Sequence, residues 1–253
     1  MDKIVEELSK IGIIPVVVIE DTEKAVPLAK ALCEGGLPAA EVTFRTAAAK
    51  DAIEAMCKAC PEMIVGAGTV LTVKQAEDAL AAGAKFIVSP NFDEAVVKFC
   101  LERKVAVLPG IATPSELGKA VAMGLTEVKF FPAEQAGGLA MIKAMAAPFR
   151  GVKFMPTGGL NTKNIGEYLD APEVIACGGS FMVNKEWIAA GDFDKVRKAT
   201  EAAVDIMLKV RYVGVDEEGA NVFAAKKPER TLYHMARRGH ISTEASGVQI
   251  IRG

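Results

Sequence analysis

The sequence has almost no histidine. Its 253 residues hold two, His234 and His240, both in the last stretch of the chain. Histidine acid–base catalysis and histidine-ligated metal sites are therefore excluded from the first 210 residues. No apolar run approaches the roughly 20 residues that a bilayer-spanning helix needs. Charge of one sign is missing too. Thirty basic residues face 32 acidic ones, a net of −2, so nothing electrostatic favours nucleic acid or an anionic membrane as a partner. The opening residues, MDKIVEELSK, are charged and amphipathic rather than a secretory leader, and the expected location is the cytoplasm. Five cysteines, an odd number in a chain of this length, do not suggest a disulfide framework. Cys57 and Cys60 form a CxxC at the end of a helical pattern. A zinc site would need a second ligand pair at suitable spacing, and a redox pair would open a helix, so both read as ordinary thiols. A dinucleotide fingerprint is also absent, because the first strand runs into VIEDTEK without a glycine.

What is present is alternation. Short β-branched runs read as strands over 13–19, 39–44, 63–68, 85–89, 105–110, 127–131, 152–158 and 174–179. Helix-length segments separate them. In DTEKAVPLAKALCEGG, Asp21 or Thr22 serves as N-cap and Gly35–Gly36 stop the helix. In TPSELGKAVAMG, Thr113 caps, Pro114 opens the first turn and Gly124 ends it. Strict βαβα alternation at intervals of about 20–27 residues predicts a parallel sheet with helices outside. Eight units fit an α/β protein of the (β/α)₈ TIM-barrel class, with an open doubly wound sheet as the alternative. The predicted barrel takes in residues 1–210. Residues 211–253 read as a C-terminal extension of unassigned role, with one plausible helix over Pro228–Gly239, and are too short for an independent core.

Chemistry in a barrel sits at the C-terminal ends of the strands. In EVTFR, alternation puts Glu41, Thr43 and Arg45 on one face, and in EVKFF it puts Lys129 with Glu127 and Phe131. A lysine inside an apolar strand needs a reason. An internal ion pair with Glu41 is one, although burial offsets much of such a pair's Coulomb gain. A lysine, a glutamate, an arginine and threonines at one mouth point instead to an active site. A desolvated lysine gives up its proton readily and attacks ketones to form imines. A nearby carboxylate can then shuttle protons, and an arginine can hold an anionic substrate group by paired hydrogen bonds. PTGGLN and CGGSFM end the last two strands. Paired glycines there suit a phosphate cup, although Gly-Gly is also ordinary turn chemistry.

EVTFRT, GAGTVL, SPNF, LPGIATPSE, VKFFPAE and MPTGGL, in this order between about Ile4 and Leu208, resemble the 2-keto-3-deoxy-6-phosphogluconate (KDPG) and 4-hydroxy-2-oxoglutarate (KHG) aldolase family. The resemblance implies a class I, Schiff-base aldolase on a (β/α)₈ barrel, a homotrimer that uses no metal and no cofactor. Lys129 matches the imine-forming lysine and Glu41 the general acid–base. Arg45, Thr69 and Pro90 match the pyruvyl carboxylate pocket, which Thr157 also lines, and Phe131 matches the ring beside the imine. Gly158, Gly159, Gly179 and Ser180 match the phosphate cup. The implied partners are small 2-keto acids and phosphosugars. The implied reaction cleaves 2-dehydro-3-deoxy-6-phosphogluconate to pyruvate and D-glyceraldehyde 3-phosphate, with 4-hydroxy-2-oxoglutarate as a second substrate. The galactonate-derived epimer, or isomerase or epimerase chemistry on the same barrel, are the alternatives. Phe44 stands where the family commonly has an aliphatic residue, and its parity turns it away from the site.

Overall fold

The computed structural model describes residues 2–208 in full, and Lys209 and four later strands (212–215, 221–224, 241–245 and 248–252) by their backbone. It is an α/β protein built on parallel strands. Helix α1 (Lys3–Ile11) opens the chain, with Asp2 accepting from Ile4 N at 2.7 Å and Gly12 closing it in the left-handed region. Its apolar stripe, Val5, Leu8 and Ile11, is buried. The strands then follow as β1 (Ile13–Val17), β2 (Ala39–Thr43), β3 (Ile64–Gly68), β4 (Phe86–Val88), β5 (Ala106–Leu108), β6 (Gly110–Ile111), β7 (Glu127–Phe130), β8 (Lys153–Pro156) and β9 (Cys177–Gly179). Every predicted run contains one of them, because β-branched and small apolar residues suit a sheet buried on both faces.

The strands form a curled six-stranded parallel sheet, ordered β5-β4-β3-β2-β1-β9, and a three-stranded one, β6-β7-β8. The eight expected strands are thus nine, because one is broken at Pro109. Proline has no N–H to give to a ladder, yet its carbonyl still accepts from Lys129 N at 3.0 Å. Two isolated parallel bridges link the β8 edge to β9: Phe154 of β8 pairs with Val174 before β9, and Thr157 just after β8 pairs with Gly178 within β9.

Helices α2 (Ala25–Glu34), α3 (Ala49–Ala59), α4 (Val73–Ala81), α5 (Glu94–Glu102), α6 (Pro114–Ala122), α7 (Gly138–Ala146), α8 (Ile165–Asp170), α9 (Lys185–Ala190) and α10 (Phe193–Lys209) separate or follow the strands. The predicted boundary signals act as expected. Thr113 and Glu116 form a capping box at α6, with Pro114 in its first turn. Asp21 caps a short 3₁₀ turn, Thr22–Lys24, that leads into α2, so the helix itself begins later than its cap suggested. No helix among the described residues is long and apolar enough to cross a membrane.

Beyond α10 the chain runs as β10 (Tyr212–Val215), β11 (Asn221–Ala224), β12 (Ile241–Ala245) and β13 (Val248–Arg252), an antiparallel sheet ordered β10-β11-β13-β12. Composition alone did not reveal these strands. The helix expected over Pro228–Gly239, and both histidines, lie outside the described residues.

Candidate active site

The C-terminal ends of the strands hold the polar residues that the core otherwise excludes. Glu41 and Lys129 are 0% and 5% exposed, and Lys129 Nζ donates to Glu41 Oε1 at 3.1 Å. The register explains the meeting. Glu41 pairs with Val16 and Gly66 across its neighbours, and Lys129 with Gly110 and Met155, so both side chains project into the interior between the sheets. Gly68 makes room for the carboxylate, since a Cβ there would lie 2.1 Å from Glu41 Oε1. Glu41 Oε2 is buried with no hydrogen-bond partner among the described residues. An unsatisfied buried carboxylate oxygen costs folding free energy and leaves an acceptor ready for a substrate or water.

The Phe131 ring centroid lies 5.4 Å from Lys129 Nζ. Beyond it opens a cavity of about 720 Å³ whose wall includes Arg45, Phe131 and Thr157. Gly158, Gly159, Gly179 and Ser180 complete that wall. Thr157 Oγ1 is a second buried, unpartnered polar atom, and a Cβ at Gly178 would lie 2.2 Å from it. Glu41, Lys129, Thr69 and Pro90 do not line this cavity. Arg45 links the groups, because its Nε donates to Thr69 Oγ1 at 3.2 Å. Pro90 packs its carbonyl against the backbone of Gly110, the register partner of Lys129.

The glycine loop is held from three sides. Ala133 N donates to Thr157 O at 2.8 Å and Glu134 N to Gly158 O at 3.1 Å. Asn161 and Asn164 side chains both donate to Gly159 O, at 3.1 and 3.2 Å. Gly158 and Gly159 adopt φ of 103° and 79°, a region that side chains disfavour.

Several residues here were not foreseen. Tyr168, on α8, donates its hydroxyl to the Glu134 carboxylate, and burial, then that hydrogen bond, pushes the phenol well above its ordinary range. The contact ties α8 to the loop after β7. Lys185, in the first turn of α9, lines the same cavity beside Glu186 and has no ion-pair partner among the described residues. Ser89 Oγ, at the end of β4, is buried and unpartnered. Thr69 sits at φ 54°, unusual for a β-branched residue and costing about 1–3 kcal/mol. A lysine three residues into VNKEW and a tyrosine in EYLD carry no motif. Only their placement in space marks them.

A buried amine, a carboxylate with a free oxygen and an arginine-lined cavity suit imine chemistry on a small anionic ketone. The sequence profile of the KDPG and KHG aldolases matches residues 4–199. The chain belongs to that family. It is 49% identical over 207 residues to the 2-dehydro-3-deoxy-phosphogluconate aldolase of Treponema pallidum, a match that covers 82% of this chain and 99% of the relative. It is 45% identical over 193 residues to the KHG/KDPG aldolase of Escherichia coli K12, covering 76% and 91%. Among solved structures, the KDPG aldolase of Legionella pneumophila, with pyruvate captured as a covalent carbinolamine, superposes with a TM-score of 0.76 at 40% identity. That match covers 78% of this chain and 97% of the other. The family's sequence signals and the buried lysine–glutamate pair thus fall on one end of one fold.

Proposed function

We propose that this chain is a class I aldolase that cleaves 2-dehydro-3-deoxy-6-phosphogluconate to pyruvate and D-glyceraldehyde 3-phosphate, and 4-hydroxy-2-oxoglutarate to pyruvate and glyoxylate. The observation that carries the proposal is the buried Lys129–Glu41 hydrogen bond at 3.1 Å with Glu41 Oε2 left unpartnered. Lys129 Nζ passes a proton to Glu41 and adds to the C2 carbonyl. The carbinolamine then loses its hydroxyl as water, with Glu41 supplying the proton, to give a protonated imine. Glu41, a carboxylate again, removes the proton of the C4 hydroxyl. The C3–C4 electron pair moves into the iminium, which becomes an enamine, and the aldehyde departs. Protonation at C3 and hydrolysis release pyruvate and restore Lys129.

Arg45 holds the substrate carboxylate with Thr69, and Thr157 and Pro90 complete that pocket. Phe131 packs beside the imine and keeps water away from it. Gly158, Gly159, Gly179 and Ser180 receive the phosphate through backbone N–H groups and a hydroxyl. The left-handed backbone of Gly158 and Gly159, which keeps side chains out of the loop, supports this assignment.

The two sheets close into one eight-stranded barrel in this proposal, with β5 and β6 counted as one strand interrupted at Pro109. The isolated bridges Phe154↔Val174 and Thr157↔Gly178 support closure. Residues 1–210 form the catalytic unit and 211–253 an appendage. The match to the Treponema relative supports that division, since 207 residues of this chain cover nearly its whole length. The active assembly is a homotrimer in the cytoplasm, which light scattering of the purified chain and cell fractionation would test.

The functional test compares kcat/KM for the gluconate-derived substrate, its galactonate-derived epimer and 4-hydroxy-2-oxoglutarate, with products identified by mass. Pyruvate and the phosphorylated aldehyde, formed fastest from the gluconate-derived substrate, are expected. A product with its carbon chain intact would favour an isomerase or epimerase and overturn the proposal.

A further inference from the structure

The CxxC of the sequence is divided in space. Cys57 turns its thiol to Gly83 O, at 3.5 Å. Cys60 ends α3 and meets Cys33 from the last turn of α2, with Glu62 following in the turn before β3. The two sulfurs and a carboxylate oxygen all lie within 4.8 Å of one another. The second ligand partner that the linear spacing of CxxC lacks is thus supplied by the preceding helix.

We infer that Cys33, Cys60 and Glu62 form a site for one soft divalent cation of the zinc and cadmium class, bound by two thiolates, one carboxylate and a water. Two thiolates and a carboxylate are a donor set that such ions prefer over magnesium or calcium. Tetrahedral bonds of about 2.3 Å to sulfur and about 2.1 Å to oxygen place the ligand atoms about 3.6–3.8 Å apart. The three groups need to close by about 1 Å to reach that geometry. Glu62 is exposed and Cys33 half-buried, so rotamer changes at these two suffice while the buried Cys60 stays fixed.

Without a cation, two thiolates and a carboxylate cannot stand together. A divalent ion among them removes the repulsion and drives off the thiol protons. Lys30, an exposed charge on α2 that acts on Cys60, has a long stem that lets it swing away. The exposed carboxylate also leaves the ion a path in from solvent.

The site is separate from the catalytic end. Cys33 precedes the start of β2 at Ala39, and Cys60 and Glu62 precede the start of β3 at Ile64. Glu41 projects from the middle of β2, and Thr69 follows the other end of β3.

The test uses the full chain, kept reduced and stripped with a chelator, then titrated with Cd²⁺ in weak buffer. One equivalent should saturate an ultraviolet cadmium–thiolate band with the intensity of two thiolates, and protons should be released as it forms. One equivalent of Zn²⁺ should compete for the band and protect Cys33 and Cys60, but not Cys57, from alkylation. Cys33→Ser and Cys60→Ser should each abolish the saturable two-thiolate band, and Glu62→Gln should weaken binding about tenfold or more. Cys57→Ser should change nothing. If Cys60→Ser fails to fold, Cys33→Ser, at a half-buried position, decides alone. No stoichiometric band in the wild type, a two-thiolate band that survives Cys33→Ser, or one lost in Cys57→Ser would overturn the inference.

Discussion

Replacing Gly68 with alanine moves the proposed acid–base group without touching its chemistry. Gly68 has no left-handed φ, so alanine fits the backbone. Its Cβ, however, would lie 2.1 Å from Glu41 Oε1, 2.6 Å from Cγ and 2.7 Å from Cδ. Ordinary carbon contacts begin at about 3.5 Å, so the carboxylate must retreat by about 1 Å or more. It then leaves the 3.1 Å hydrogen bond with Lys129. Overpacking of this kind costs about 1–3 kcal/mol, which lowers Tm by about 2–12 °C in a protein of this size. A misplacement of about 1 Å at a proton-transfer group costs about 100-fold in rate. The expected result is a folded variant whose kcat is about 100-fold lower, with a modest Tm loss. Circular dichroism and thermal melting check the fold, and pyruvate release checks the rate. A Gly68→Ala variant with kcat within twofold of wild type and an unchanged Tm would refute this packing argument.

Other outcomes follow from the same geometry. Glu41→Gln should lower kcat far more than it raises the Kd for pyruvate, measured by turnover and by equilibrium binding; a loss confined to KM would contradict the acid–base role. Tyr168→Phe removes the hydroxyl that holds Glu134 and should cost about 1.5 kcal/mol of stability, with a raised KM for the phosphorylated substrate; an unchanged melting curve and KM would count against the clamp. Lys185→Ala should raise KM several-fold for the phosphorylated substrate and leave that for 4-hydroxy-2-oxoglutarate nearly unchanged, as steady-state kinetics would show. Burial pushes the Cys100 thiol up to about 11. At pH 8 only about one molecule in a thousand carries that thiolate, so iodoacetamide should leave Cys100 unmodified in the folded protein and react faster as pH rises toward 11.

Much of the candidate site was legible because its residues break a local rule. Lys129 interrupts an apolar strand, Glu41 and Arg45 share one face of another, and paired glycines end two more. Such signals are local, and period-two alternation turns them into a shared face. Pro109 shows the limit of that logic. The run from Val105 to Gly110 reads as one strand, yet the missing proline N–H splits the ladder. The Tyr168–Glu134 contact, the left-handed Thr69 and the Cys33–Cys60 pair depend on which loops and helices become neighbours, and no periodicity encodes that. The four strands beyond Lys209 escaped because their short alternating runs lie between polar and charged stretches that suggested no core of their own. The position of Gly68 under the Glu41 carboxylate likewise follows from how β2 and β3 pair, which no local signal shows.

The central claim is that Lys129 forms an imine with the keto acid. The direct measurement is borohydride reduction of the chain in the presence of pyruvate, followed by peptide mass mapping. A single pyruvyl adduct on Lys129, absent from Lys129→Ala, is predicted. No adduct, an adduct on another lysine, or trapping that survives Lys129→Ala would contradict it.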